Sequence, residues 1–138
     1  MARLASLRRG VKQAVILLVA AGLPAVVASL LFKGEAAGDG EMLLAVALRH
    51  QPPPLWIDAR PAAEYDRERV PGALALRQEE WETLVPQVLA RWQPEQTALV
   101  YCDSAGSQAS REVAERLREY ALGPVYVLHG GWKAWKQK

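Results

Sequence analysis

The sequence has one cysteine and two histidines, and this scarcity excludes several kinds of site. A single cysteine cannot form an internal disulfide. His50 and His129 lie far apart in the sequence and have no partners at the spacing of metal ligands. A glycine-rich nucleotide-binding pattern is also missing. We therefore expect neither a metal nor a cofactor, and any thiol chemistry must use Cys102.

Excess positive charge is small and is confined to the N-terminus. The 138 residues include 17 basic and 15 acidic side chains. Residues 1–40 are clearly basic on balance, whereas residues 41–138 carry slightly more acidic than basic side chains. No basic face interleaved with aromatic residues follows, so the composition argues against nucleic-acid binding.

One long apolar run lies near the N-terminus. Residues 14–32 contain no charged side chain and would form a helix about 30 Å long, which is enough to cross a bilayer. Basic residues precede this run, so the positive-inside rule places the N-terminus in the cytoplasm. We expect a transmembrane signal anchor at residues 1–33, a small-residue linker at 34–40 and a folded domain at 41–138.

Two alternatives to an uncleaved anchor stay open from the sequence. Residues 26–28 offer a loose small-x-small cleavage site for a signal peptide, although the apolar run continues to Phe32. A buried helix of a soluble protein is the other alternative, and it is disfavoured because the run is apolar on all faces and follows a basic flank. In a bacterial cell, the anchor would hold the domain in the periplasm, on the outer face of the inner membrane. That compartment is oxidising, so an unpaired thiol there is either buried or kept for chemistry.

The domain alternates short apolar strands with helical patterns. This order predicts an α/β fold, with a parallel sheet that has helices on both faces and a ligand site beyond the carboxyl ends of its strands. Pro86 lies inside an amphipathic stripe and predicts a kink or two short helices. Strands are predicted at residues 55–58, 73–76, 97–101 and 125–128, and helices at 41–49, 62–67, 81–92 and 110–120.

Cys102 follows one of these strands and precedes a loop of small and polar residues. The loop leads into the predicted helix at residues 110–120. The amides at a helix N-terminus carry about half a unit of positive charge, which favours anions and therefore the reactive thiolate. This position indicates a cysteine-based enzyme or a sulfur carrier. An inert buried cysteine is the alternative.

Five segments of the domain, taken in order, resemble the rhodanese-like domain family. The resemblance covers roughly residues 42–136 and implies an α/β fold with sulfurtransferase or sulfur-carrier activity. The segments are Trp-Ile-Asp-Ala-Arg at 56–60, Glu-Tyr at 64–65, Val-Pro-Gly-Ala at 70–73, Val-Tyr-Cys at 100–102, and residues 125–132 together with Trp135.

The resemblance also implies roles for particular residues. Cys102 would take a sulfane sulfur from thiosulfate or a persulfide and pass it to a thiol acceptor. Asp58 and Arg60 match the family's Asp-x-Arg motif. The resemblance implies either an ion pair that supports the cysteine loop or a structural salt bridge away from the reacting sulfur. The substrate-binding loop that supplies backbone donors would be Asp103, Ser104, Ala105, Gly106, Ser107 and Gln108.

The loop departs from the family pattern in two respects. Many active members have a six-residue loop with glycine third after the cysteine, whereas Gly106 is fourth, and a helix near Ser110 predicts a loop about two residues longer. Asp103 would repel a dianionic donor and raise the thiol pKa if it faced the site. A longer loop is typical of related phosphatases, but these need an arginine at the position of Gln108.

A rhodanese-fold module that binds a partner or senses redox state, without turnover, is the alternative function. The exposure of the Cys102 thiol distinguishes the enzyme from the non-catalytic module. An exposed, low-pKa Cys102 in a preformed cradle of amides would favour the enzyme. A buried thiol, or a loop occluded by Asp103, would favour the module.

Overall fold

Residues 40–103 and 107–138 are described by a computed structural model, and within them five strands form one sheet. The strand order is β1-β5-β4-β2-β3, and every pairing is parallel. This confirms the predicted α/β fold with a parallel sheet. The strands are β1 (Glu41–Met42), β2 (Leu55–Asp58), β3 (Leu74–Ala75), β4 (Ala98–Tyr101) and β5 (Val125–Leu128).

Helices connect the strands, as parallel pairing requires. A short 3₁₀ turn, Gln78–Glu80, comes directly before the third of them. The helices in the described part of the chain are α1 (Leu44–Arg49), α2 (Ala62–Arg67), α3 (Trp81–Arg91), α4 (Gln108–Arg118) and α5 (Gly131–Lys136).

Strand β4 lies at the centre of the sheet and separates two apolar layers. All four of its residues are 0% exposed. Successive side chains of a strand point to opposite faces, so Ala98 and Val100 pack with α3 and α4, while Leu99 and Tyr101 pack with α1 and α5. The helices therefore cover both faces of the sheet.

Helix α3 is one continuous helix that contains Pro86, not two short helices. A proline inside a helix costs about 3 kcal/mol, because it removes a hydrogen bond and crowds the preceding turn. Trp81, Val85 and Val88 are buried in the core on one side of the helix, and Pro86 is exposed. Burial of this apolar stripe holds the helix together across the proline.

The prediction of a helix at residues 41–49 is wrong for its first residues. Glu41 and Met42 form strand β1, which pairs with Val127 and Leu128, and the helix begins only at Leu44. The amide of Val127 donates to the carbonyl of Gly40 over 2.8 Å. Pairing with a strand remote in the sequence overrides the local helical pattern.

The predicted anchor and most of the linker lie outside the described residues. This applies to residues 1–33 and to residues 34–39. Across residues 40–103 and 107–138, every helix is too short or too polar to span a bilayer.

Candidate functional site

Cys102 lies at the carboxyl edge of the sheet, one residue beyond β4. It is a free cysteine and is almost fully buried, with 8% of its surface exposed. Strand β4 ends at Tyr101 and α4 begins at Gln108, so six residues of sequence separate the two elements. The helix begins two residues earlier than predicted, so the prediction of a longer connection is wrong. Of the predicted loop residues, Ser104, Ala105 and Gly106 lie outside the described residues.

The start of this loop is held by α5. The amide of Trp132 donates to the carbonyl of Cys102 over 2.7 Å, and the amide of Lys133 donates to the carbonyl of Asp103 over 3.2 Å. Asp103 itself is exposed. Because the first amides of a helix have no partner within the helix, the first turn of α5 can donate to these carbonyls.

The end of the loop is held by α4. Ser107 immediately precedes the helix, and its carbonyl accepts a hydrogen bond from the Ser110 hydroxyl over 3.1 Å. Gln108, the first residue of the helix, is exposed, and its side-chain amide donates to Glu112 over 2.7 Å. This side-chain pair, one turn apart, supports a helix that begins two residues earlier than predicted.

Two glycines turn the chain from β5 into α5. Gly130 and Gly131 have φ values of 79° and 58°, in the left-handed region that favours glycine. A Cβ atom on Gly130 would also lie 3.0 Å from the Cβ of Ala134. This tight turn brings the amides of Trp132 and Lys133 to the start of the loop.

Asp58 and Arg60 form a buried ion pair just beyond β2. Their side chains are 0% and 1% exposed, and Arg60 Nη2 lies 2.8 Å from Asp58 Oδ2. Arg60 Nε is 3.1 Å from Oδ1, and the backbone amide of Arg60 also donates to Oδ1 over 2.9 Å. Such a two-pronged geometry is the strong form of an arginine–carboxylate interaction.

Three further groups complete the hydrogen bonds of this pair. The Tyr101 hydroxyl donates to Asp58 Oδ2 over 2.7 Å and accepts from the amide of Val70 over 3.2 Å. Arg60 Nη2 donates to the carbonyl of Glu68 over 2.6 Å. The pair therefore joins β2, β4 and the segment that leads into β3.

Trp132 connects the ion pair with the loop. The Arg60 guanidinium lies 4.2 Å from the centre of the Trp132 ring, within cation–π range. The same ring stacks on Tyr101, with centroids 6.0 Å apart and an interplanar angle of 21°. The residue whose amide holds the Cys102 carbonyl is thus itself fixed by Arg60 and Tyr101.

Burial and the neighbouring charges shift the pKa values of Arg60 and Tyr101. Burial lowers the pKa of Arg60, but the hydrogen bond and charge of Asp58 outweigh it, and Tyr101 and Asp103 add to the rise, so the pKa ends above its usual value. Burial is the largest cause that raises the pKa of Tyr101 well above its ordinary range, and Asp58 adds to it. Arg60 stays a cation and Tyr101 stays a neutral donor at every physiological pH.

The sequence did not predict the contacts that Tyr101 and Trp132 make with Asp58 and Arg60. Both residues belong to the family resemblance, but neither was predicted to touch Asp58 or Arg60. A signal was present in Tyr101, because a tyrosine at the end of a buried strand needs a partner for its hydroxyl. The short helix α5 was also not predicted, and it supplies both amides at the start of the loop.

Comparisons with known proteins agree with the fold. Residues 44–138 match the family model of the rhodanese-like domain. The chain is similar to the Alr3790 protein from Anabaena sp., with 26% identity over 68% of this chain and 72% of that chain and a TM-score of 0.54. The sequence matches no curated protein.

Two further solved structures share the fold. A rhodanese-like domain protein from Staphylococcus aureus is 23% identical, with 67% of this chain and 83% of that chain covered and a TM-score of 0.51. The BH2092 protein from Bacillus halodurans is 16% identical, with 82% and 80% covered and a TM-score of 0.59. At these sequence identities, the similarity supports a shared fold only.

Asp58→Asn is expected to lower the free energy of unfolding by about 3–5 kcal/mol, because it leaves the Arg60 charge buried and uncompensated. Glu64→Gln is the matched control, since it breaks the exposed Arg67–Glu64 pair and should cost less than about 1 kcal/mol. Denaturant unfolding of the full chain, followed by tryptophan fluorescence, measures both. Equal losses for the two variants would contradict a stabilising role of the buried pair.

Tyr101→Phe is expected to make stability less sensitive to alkali. The pKa of Tyr101 is raised in the folded state, so above about pH 10 the unfolded chain loses this proton first. The stability contributed by Tyr101 is therefore complete below about pH 10 and falls above it, by up to about 1.4 kcal/mol per pH unit. Unfolding of the full chain between about pH 8 and pH 11 should show a smaller slope in the variant. A wild-type slope in Tyr101→Phe would refute the assignment, and Tyr120→Phe serves as the surface control.

Proposed function

The chain belongs to the rhodanese-like domain family, and we propose that it is a sulfurtransferase or sulfur carrier that forms a persulfide on Cys102. One observation carries the proposal. The chain's single cysteine directly follows the central strand at the carboxyl edge of the sheet, and α4 begins six residues after it, at Gln108. The thiolate is the nucleophilic form of a cysteine, and Cys102 is the residue that can supply it.

The chemistry consists of two displacements at sulfur. The Cys102 thiolate attacks the outer sulfur of thiosulfate or of a protonated persulfide. A bond forms between Sγ and that sulfur, the donor's sulfur–sulfur bond breaks, and sulfite or a thiolate leaves with the electron pair. An acceptor thiolate then attacks the outer sulfur of the Cys102 persulfide, and the Cys102 thiolate leaves. The two steps balance without an external oxidant or reductant.

The loop and the ion pair have supporting roles in this proposal. Backbone amides of residues 103–108 would stabilise the charged sulfur, as donors aimed at developing charge do in other enzymes. Asp58 and Arg60 would keep the start of the loop in place through Trp132, which contacts Arg60 and bonds the Cys102 carbonyl. These two residues are therefore positioning residues, because their contacts reach Cys102 through its neighbours Trp132 and Tyr101.

A non-catalytic binding or redox-sensing module is the second candidate, and it too has an observation in its favour. Cys102 is only 8% exposed, and the acidic Asp103 follows it directly. Because so little of Cys102 is exposed, a binding partner or an oxidant would have to be small to reach the thiol. Whether Cys102 accepts sulfur decides between the two candidates.

We also propose that residues 1–33 anchor the protein in the cell membrane and that residues 34–40 link the anchor to a domain at 41–138. The support is the uncharged run at 14–32 and the basic residues before it. The domain would then face the periplasm, where small thiols and persulfides reach Cys102 from outside the cytoplasm.

Incubation of the detergent-purified full chain with thiosulfate, and separately with a persulfide donor, is expected to add one sulfur atom. Intact mass measures the gain. The adduct should disappear on addition of a thiol and should be absent in Cys102→Ser, a nearly isosteric change that keeps the fold. No adduct from either donor, with the thiol still open to alkylation, would favour the non-catalytic module.

The full chain is expected to sediment with membranes and to stay there after an alkaline wash. A variant without residues 1–33 should be recovered in the soluble fraction and should unfold cooperatively, because residues 42–128 contain all the buried apolar side chains of the described part of the chain. Protease added to spheroplasts should cleave the domain of the full chain. Recovery of the full chain in the soluble fraction would refute the anchor, and aggregation of the shortened variant would mean that the apolar run belongs to the domain core.

A further inference from the structure

Helix α1 is apolar on its outer side as well as on the side that packs on the sheet. Val46 and Ala47 are buried in the core, whereas Leu43, directly before the helix, and Leu48 are 39% and 51% exposed. Ala45 is exposed as well. The outer side of a helix that faces water is normally polar, and a helix that is apolar all round is typical of a protein core or a membrane. The outer side of α1 therefore favours contact with a second apolar surface.

Helix α5 lies on the same face of the sheet and has the composition of an interfacial helix. Both helices pack on the layer that contains Leu99 and Tyr101. Residues 131–138 include two tryptophans and three lysines and no acidic residue. Tryptophan is enriched where a membrane meets water, and the long side chain of lysine reaches from an apolar surface to anionic groups. The α1/α5 face comprises Leu43, Leu48, Lys133, Trp135, Lys136 and Lys138.

Trp135 is the aromatic residue of this face, and its ring is already held in place. It is half-buried and packs edge-on against Trp56, with the ring centroids 5.5 Å apart. The ammonium of Lys138 lies 4.1 Å from the centre of the same ring. A fixed ring loses little conformational freedom when a second surface covers it, and the adjacent cation would meet an anionic group at the same contact.

The lysines of the α1/α5 face are largely free to attract an external anion. Lys136 pairs with Glu68 over 2.9 Å, at the exposed edge of the domain. The ammonium groups of Lys133 and Lys138 form no ion pair within residues 40–103 and 107–138. A lysine near a membrane that contains anionic lipids is attracted to its negative surface potential within about one Debye length. The charge of this face is therefore complementary to such a membrane.

We propose that the α1/α5 face docks on the surface of a membrane that contains anionic lipids. The inference rests on the proposed anchor and names the surface that the domain contacts. Residues 34–39 separate the proposed anchor from the described domain and reach at most about 20 Å when fully extended. So short a tether gives the lipid headgroups a high effective concentration at the domain. Charge and tether together favour a lipid surface over a protein partner from solution.

An environment-sensitive fluorophore on α5 tests the docking in the full chain. Gln137→Cys, combined with Cys102→Ser, is labelled with nitrobenzoxadiazole, because Gln137 is exposed between Lys136 and Lys138. In lipid nanodiscs, we expect the emission to move to shorter wavelength when phosphatidylglycerol is present, but not with phosphatidylcholine alone. Raising the salt to about 1 M, where the Debye length is about 3 Å, should reverse the shift. The same emission maximum in both lipids would overturn the inference.

A second label position controls for effects that do not depend on the face. Gln87 is an exposed glutamine of α3, on the opposite face of the sheet. Gln87→Cys, also combined with Cys102→Ser, should give the same emission maximum in both lipids after labelling. A lipid-dependent shift as large as that at Gln137 would mean that no single face docks, and would overturn the inference.

Paired charge variants test the lysines. Lys133→Gln with Lys138→Gln should remove most of the shift of the label at Gln137, because the two unpaired ammonium groups are lost. Arg91→Gln with Arg111→Gln is the matched control, since it removes the same charge from exposed positions of α3 and α4 and should leave the shift unchanged. Equal shifts in the two double variants would contradict docking through the lysines.

Paired apolar variants test α1. Leu48→Gln should reduce the shift of the label at Gln137, because a polar side chain there disfavours contact with lipid. Tyr120→Gln is the matched control, since Tyr120 is also a large exposed apolar residue, 42% exposed, but follows α4 on the other face. The two variants should fold as the parent does, because both side chains are exposed. An unchanged shift in Leu48→Gln would exclude α1 from the docking surface.

The outcome for docking separates from the outcome for the anchor. Elution of the protein with the discs in gel filtration measures the anchor, and the emission of the label measures docking. A chain that does not stay with the discs refutes the anchor and this inference with it. A chain that stays with the discs, but has the same emission maximum in both lipids, overturns the docking alone. A shift found only in discs that carry two chains would indicate a second copy as the partner and would also overturn the docking.

Discussion

The buried pair of Asp58 and Arg60 is the interaction on which the rest of the site depends. Removing both charges from water is costly, and only close, fully hydrogen-bonded geometry offsets that cost. The carboxylate accepts from the guanidinium, the Arg60 amide and the Tyr101 hydroxyl, and Arg60 also donates to the carbonyl of Glu68. These contacts hold the ends of β2 and β4 and the segment before β3 in one arrangement at the carboxyl edge of the sheet.

The position of the cysteine loop follows from that arrangement. Trp132 lies against both Arg60 and Tyr101, and its amide bonds the carbonyl of Cys102. The guanidinium is largely neutralised by Asp58, so its effect on the cysteine comes mainly through the position of Trp132. The carbonyls of Cys102 and Asp103 are thus held by α5, and the carbonyl of Ser107 is held by α4.

Local sequence patterns correctly predicted the strands and helices that depend on local sequence. They failed for elements whose conformation is determined by contacts with residues remote in the sequence. Strands β2 and β5 and helix α2 have the predicted bounds, because short apolar runs and a brief helical signal suffice to define them. Glu41 and Met42 were predicted as helix because their pairing with β5 is not visible locally. The predicted loop length was wrong because α4 begins at Gln108. Helix α5 was missed because its six residues, the first of which is Gly131, carry little periodicity. The place of Cys102 at a strand end was predictable, whereas its neighbour Trp132 comes from a helix that local patterns do not reveal.

The exposed carboxylate of Asp103 makes the choice of donor a matter of charge. Asp103 directly follows Cys102, so in the proposed reaction repulsion would raise the free energy of the encounter between a dianionic donor and the thiolate. A protonated persulfide presents no negative charge to the attacking thiolate and avoids this cost. The acidic residue after the cysteine therefore favours a persulfide over thiosulfate as the donor in the proposed function.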